Sequence, residues 1–249
     1  MQMLQTLVLL ALLLLSAPPC LLAQFPGGAQ TGLNAALLKL FGEVLSFTSK
    51  AEIRLQEKGA KEPVVMLVDF SMLDGNVRMD LDMSALKSSE LPPAALAQFK
   101  AAGLDKVVTV IKPNQKTALV FYPSIRSYAQ LPMSKEEAAE MSRKFSMEKI
   151  KIARETIEGT ACDKTKVVAK ADNGEKYESL VWYAPTLKQF PLRIQMNQQQ
   201  STVVLQYRDV KLVRPDARQF EAPAGFTRYN SVEELMQTAM MKILGRGKK

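Results

Sequence analysis

The chain of 249 residues carries 33 Lys and Arg against 25 Asp and Glu, a formal charge of +8, and no histidine. Without imidazole there is no Ser–His or Cys–His nucleophile, no common His-containing zinc site and no imidazole acid–base chemistry. The positive excess is dispersed and not interleaved with aromatics, which argues against nucleic-acid binding and leaves anionic headgroups or acidic partners as what it can favour.

The first element is an uncharged apolar run, Leu7 to Leu15, followed by Ser16-Ala17-Pro18-Pro19 and Leu22-Ala23-Gln24. It is too short to span a bilayer, which takes roughly 20 apolar residues. A short apolar stretch ending in helix breakers and a small residue is the pattern of a secretory signal peptide, so residues 1–23 are expected to be cleaved after Ala23. Cys20 stands where a lipoprotein signal would carry its acylated residue. Pro18 and Pro19 before it lack the backbone N–H that an extended peptidase substrate offers, so a lipid anchor is not expected. The protein is expected in the periplasm. Cys162 is then the sole remaining cysteine and cannot form an internal disulfide; in a strand pattern it reads as a small buried apolar residue.

Residues 24–45 read as a lead-in with a helix, 46–229 as one domain, and 230–249 as a C-terminal helix with a basic tail. From Phe47 onward the dominant period is two, as in half-buried strands. Extended runs at 47–57, 64–70 and 77–83 are joined by Lys58-Gly59-Ala60-Lys61 and by Asp74-Gly75-Asn76, a strong hairpin signal. Leu91 to Ala102 is Ala-rich, opens with prolines and stops at Gly103, which predicts a short helix. Strands resume at 106–111, 117–122 and 127–131. Ser134 and Glu137 make a capping box for a second helix, whose apolar stripe is read as Ala138, Met141 and Phe145. Further strands are predicted at 149–157, 160–168, 177–183, 190–196 and 202–212, with a Gln/Asn loop tip at 197–200. Ser231 and Glu234 make a second capping box for the last helix.

The pattern amounts to about ten or eleven strands and two or three helices without a domain-sized linker. A long antiparallel meander with one apolar face curls or closes, because bare faces and open edges are liabilities. The expected fold class is mainly β (α+β): a large, strongly curved antiparallel sheet, a half-barrel, with helices covering its concave face.

Four stretches resemble the LolA/LolB-like superfamily of periplasmic lipoprotein and lipid carriers, and its branch labelled outer-membrane lipoprotein-sorting proteins. They are Asn76-Val77-Arg78-Met79-Asp80; Ile157 to Lys164, with its Gly159-Thr160-Ala161-Cys162; Trp182-Tyr183 followed by Phe190-Pro191-Leu192-Arg193; and Phe220-Glu221-Ala222-Pro223-Ala224-Gly225-Phe226. The resemblance implies a non-enzymatic periplasmic binding protein. It would hold a lipid, an acyl chain or a lipoprotein in an apolar cavity between sheet and helices. It also implies that an early-strand arginine locks a helical lid, with Arg78 the candidate and Arg54 its rival.

The apolar strand faces and the 13 methionines suit such a cavity. Its expected lining is Met66, Met79, Leu81, Met83, Val108, Val110, Phe121, Met141, Phe145 and Trp182. Trp182 and Tyr183 should point to opposite faces of one strand, one of them core. The expected partners are lipid or lipoprotein acyl chains, with envelope proteins as a second class, on a monomer without cofactor or metal. The alternative is an envelope structural or regulatory protein using the same fold as an interaction surface. Asp80 and Asp82 share a strand face and could serve a carboxylate hydrolase, but acids so spaced usually form solvated surface.

Overall fold

The structure, a computed structural model, describes residues 35–87, 92–198 and 200–246. The expected signal peptide and the last three residues of the basic tail lie outside the described residues. The strands are β1 (Ser46–Glu57), β2 (Val64–Leu73), β3 (Asn76–Asp82), β4 (Lys106–Lys112), β5 (Thr117–Tyr122), β6 (Ser127–Pro132), β7 (Phe145–Ile157), β8 (Thr160–Ala171), β9 (Lys176–Ala184), β10 (Phe190–Asn197), β11 (Ser201–Lys211) and β12 (Thr227–Tyr229). They form one curved open sheet in the order β12-β6-β5-β4-β3-β2-β1-β11-β10-β9-β8-β7. Two antiparallel meanders, β1 to β6 and β7 to β11, join where β1 pairs with β11. The three-residue β12, too short for periodicity to reveal, adds to β6 in parallel.

Local chemistry sets the turns. Asp74-Gly75 and Glu158-Gly159 are left-handed pairs, with φ of 51° and 83° and of 47° and 77°. Two such residues give the hairpin twist that matches the twist of the flanking strands. Three other hairpins share a device: a 3-10 turn opened by proline and closed by a left-handed cation. These are Pro113–Gln115 with Lys116, Pro123–Ile125 with Arg126, and Pro185–Leu187 with Lys188. Proline fixes the first φ of each turn and loses no ladder hydrogen bond there.

The helices are α1 (Ala35–Lys39), α2 (Pro93–Ala101), α3 (Lys135–Ser142) and α4 (Val232–Arg246). The Ser134–Glu137 capping box forms as expected. At α4 the Ser231 hydroxyl accepts the Glu234 N–H at 3.1 Å. The Glu234 carboxylate reaches one residue further back than a capping box requires, accepting the N–H of Asn230 at 3.1 Å. Phe145, expected on the α3 stripe, instead opens β7: α3 ends at Ser142, Arg143 leaves helical geometry, and the strand pairs from Phe145 opposite Ala171.

The register puts Phe47, Ala51, Ile53, Phe70, Met79, Leu205 and Tyr207 on one face, the concave one that carries the helices. Phe41, just after α1, reaches into this face at the junction of the two meanders. Its ring lies 5.2 Å from that of Phe47, which lies 5.6 Å from Phe70 and 4.8 Å from Phe190. Tyr207 completes the group at 5.6 Å from Phe70. At the far end of the same face α2 and α4 bury Leu104, Tyr122, Leu235 and Ala239. The opposite, convex face is crossed by the segment between β11 and β12, whose Phe220 joins Val108, Val110, Leu119 and Phe121.

The ring cluster generates a paired prediction. Phe47→Ala should destabilise by about 3–5 kcal/mol, the usual result of emptying a buried aromatic site. Tyr207→Phe should be near neutral, because the Tyr207 hydroxyl is buried without a hydrogen-bond partner among the described residues. Urea unfolding of both variants checks this; a Tyr207→Phe loss as large as that of Phe47→Ala would contradict it.

Candidate functional site

The concave face changes character along the strands. Around the rings it is closed: Phe47 and Phe190 are 0% exposed, and Tyr207 is 1%. Further along, the cross-strand row Val64–Leu55–Val203–Met196–Ser179 is only half-buried and ends in buried Val167 and exposed Lys149. The neighbouring row, Met66–Ile53–Leu205–Ile194–Val181–Thr165, is buried and ends at Lys151. Six strand spacings of about 4.8 Å make the outer row about 29 Å long, measured along the sheet. At its cationic end the Lys149 ammonium stands 4.6 Å over the Tyr183 ring, and Lys151 pairs with Asp163 at 2.8 Å.

The expected lining residues do not share one surface. Met66 and Met79 are buried on the concave face, Leu81 is half-buried there, and Met83 follows in a 3-10 turn packed on the same core. Phe145 has concave parity and meets Tyr177 edge-on at 5.9 Å. Met141 sits half-buried on α3. Val108, Val110 and Phe121 belong to the convex face, because Val108 pairs with Asp80 and Val110 with Arg78. Trp182 is also convex, opposite Arg193 on one side and Lys164 on the other. Leu55, Val64, Met196 and Val203 are concave residues that the sequence reading misses. Their signal is present in the sequence, since each lies two residues from an expected or evident concave position.

Trp182 and Tyr183 do point to opposite faces, yet both are 4% exposed. Trp182 is covered by side chains rather than by a helix. The Lys164 ammonium lies 5.0 Å and the Arg193 guanidinium 5.4 Å from its ring. Its Nε1–H donates to Glu155 Oε2 at 2.7 Å, and Lys164 Nζ donates to Glu155 Oε1 at 2.8 Å. Arg193 donates to Gln206 Oε1 at 2.6 Å, Gln206 donates to Glu158 at 2.7 Å, and Glu158 meets Arg208 at 3.0 Å. The bonds from Lys164 and then Trp182 hold the Glu155 carboxyl below its ordinary value. Cys162 is fully buried, and burial raises its thiol pKa.

Arg78 grips Asp80 through two bonds of 2.7 and 2.6 Å, and donates to the carbonyl of Gln219. It therefore fastens the convex segment containing the 3-10 turn Ala217–Phe220, and no α-helix. Lys112 to Glu221 at 2.6 Å and Arg214 to Asp74 at 2.6 Å fasten the same segment. Its rival Arg54 pairs with Glu52. Asp80 is engaged by Arg78, and Asp82 caps Ser84 at 2.9 Å, so neither acid is paired with the other.

A cavity of about 410 Å³ does lie among the described residues, but between α2, α4 and the β5–β6 turn, and none of the expected lining residues touches it. Among the described residues no helix is long and apolar enough to cross a membrane, and no group of three or more His, Cys, Asp or Glu could hold a metal ion.

The fold is similar to that of several solved structures. One is a LolA superfamily protein from Nitrosomonas europaea, at 14% identity and a TM-score of 0.38, covering 76% of this chain and 97% of that one. Another is the lipoprotein LppX from Mycobacterium tuberculosis, at 10% identity and a TM-score of 0.38, covering 71% and 93%. A third is LprF from Mycobacterium bovis, at 10% identity and a TM-score of 0.33, covering 76% and 95%. No protein-family model and no curated protein matches the sequence. The likeness is one of architecture, and the chain's own residues carry the functional reading.

The Glu155 cluster predicts a pH dependence. A carboxyl whose folded pKa is depressed stabilises the fold above its unfolded value, near 4.5, and loses that contribution as pH falls through the folded pKa. Glu155→Gln retains an acceptor for Trp182 but not the charge. The stability gap between wild type and variant should be widest above the unfolded value and shrink on acidification, as followed by urea titrations. A gap independent of pH would contradict the assignment.

Proposed function

We propose that the protein is a non-enzymatic binding protein of the periplasm that holds an acyl chain against the concave face of its sheet. The observation that carries this reading is the half-buried apolar row Val64–Leu55–Val203–Met196 beside a tightly closed ring cluster. A sheet that only needed a core would bury this row as it buries Phe47 and Phe190. Leu81 and Met83 extend the apolar surface past β2, and flexible methionines suit a chain of variable shape. Each methylene buried is worth about 0.8 kcal/mol, so a chain lying across several strands supplies substantial affinity. Lys149 at the β7 end suits an anionic head.

A second reading follows from β7. This 13-residue strand is the sheet's edge, and Ile150 and Ile152 are 48% and 52% exposed on it. An exposed edge strand is a template for adding a partner's strand. It supports the alternative of an envelope protein that uses this fold as an interaction surface.

Lipid mass spectrometry of protein purified from native envelope extract, against a mock purification, tests the first reading. The expected result is stoichiometric acyl lipid, with most of it lost from the Leu55→Gln/Val203→Gln variant while the melting transition persists. A wild-type extract no richer in lipid than the mock would sink the acyl reading and favour the edge strand.

A further inference from the structure

The cavity between α2, α4 and the β5–β6 turn has a chemistry of its own. Two lysines are among its lining residues, Lys100 from the last turn of α2 and Lys242 from α4, together with the hydroxyl-bearing residues Ser124, Ser127 and Tyr229, of which Ser127 already donates to the Ile125 carbonyl at 3.0 Å. No Asp or Glu lines it. Among the described residues neither lysine has an ion-pair partner within 4 Å. Lys100 has an electrostatic neighbour in Asp82, whose carboxyl is held low chiefly by the Ser84 hydroxyl and to a smaller degree by Lys106 and Lys100.

The backbone builds the cavity wall. The N–H of Gly103 bonds to the Lys100 carbonyl at 3.0 Å and that of Leu104 to the Phe99 carbonyl at 2.8 Å, a Schellman-type closure. This closure engages the carbonyls of Phe99 and Lys100 at the end of α2. Gly103 has φ of +68°, and a Cβ there would meet Ile125 Cγ2 at 2.8 Å. The close approach of α2 to the β5–β6 turn thus requires glycine. Leu235 and Ala239, both buried, supply apolar lining.

We infer that this cavity binds a phosphomonoester, with Lys100 and Lys242 neutralising its two charges and the Ser124 and Tyr229 hydroxyls donating to its oxygens. Lysine is a point-charge binder of phosphate. The volume of about 410 Å³ exceeds what a bare ion fills and lies in the range of small-molecule sites. The same chemistry describes a soluble phosphorylated metabolite and the headgroup of a phosphatidate-type lipid. The inference is independent of the acyl-chain reading, since the two sites share no residue.

Amide NMR of the full-length mature protein tests it, with glycerol 3-phosphate as the soluble probe, dihexanoyl phosphatidate as the lipid probe and glycerol as the uncharged control. Saturable shifts are expected at 101–103, 124–127 and 235–242, with affinity at least tenfold lower in K100Q/K242Q. That variant should melt like wild type and keep any lipid bound at Leu55 and Val203. Saturation by glycerol 3-phosphate assigns a soluble ligand; saturation by phosphatidate alone assigns a lipid headgroup. No saturable response to either probe, shifts spread over the surface lysines, or undiminished binding by K100Q/K242Q would overturn the inference.

Discussion

The rings of Phe41, Phe47, Phe70, Phe190 and Tyr207 meet where β1 and β11 join the two meanders, and the continuity of the sheet depends on their contact. Each half of the sheet could in principle pair its own strands. What holds them as one surface is the β1–β11 ladder and the aromatic burial behind it. Aromatic pairs in edge and offset geometries add about 0.5–1.5 kcal/mol each beyond the area they bury. Phe41 brings α1 into the cluster and so fixes the helical side of the sheet. Because the cluster closes one part of the concave face, the apolar rows beyond it are set apart as a surface of different exposure.

The convex face is held by polar contacts and by a second apolar cluster. The Trp182 ring lies between two cations, and the Arg193–Gln206–Glu158–Arg208 chain continues across the strands. The segment after β11 is fastened over β3 to β5 by Phe220, Arg78 and Lys112. Surface ion pairs are individually weak. These act together with the buried rings of Trp182 and Phe220. The division gives the concave face the helices and the convex face the chain's own return path.

The strands are legible in the sequence because Val77 to Asp82 and Ala51 to Leu55 alternate cleanly, and the hairpins because Asp74-Gly75 and Asp172-Asn173-Gly174 are chemically distinctive. The cap of α3 is legible for the same reason. Which face each strand turns to the helices is not. Val108 and Val110 are as apolar as Met79, and only the register of β3 with β4 shows that they lie on the other side. Apolar residues on both faces of β4 and β5 defeat a period-two reading, because the segment around Phe220 buries the second face from far along the chain. That long-range covering gives Phe121 the look of a cavity residue, and the cations over Trp182 do the same for its ring. Phe145 misleads for a local reason: it continues the i+4 spacing of Met141 although the helix has already ended.

An acyl chain on the concave rows, and not beneath the convex segment, is the state on which the functional reading stands. A fatty acid bearing a terminal diazirine, photolysed in complex with the protein and mapped by peptide mass spectrometry, tests it most directly. Cross-links are expected at Leu55, Val64, Met83, Met196 and Val203. Cross-links concentrated at Val108, Phe121, Phe220 and Phe226 would contradict it and place the ligand on the other face.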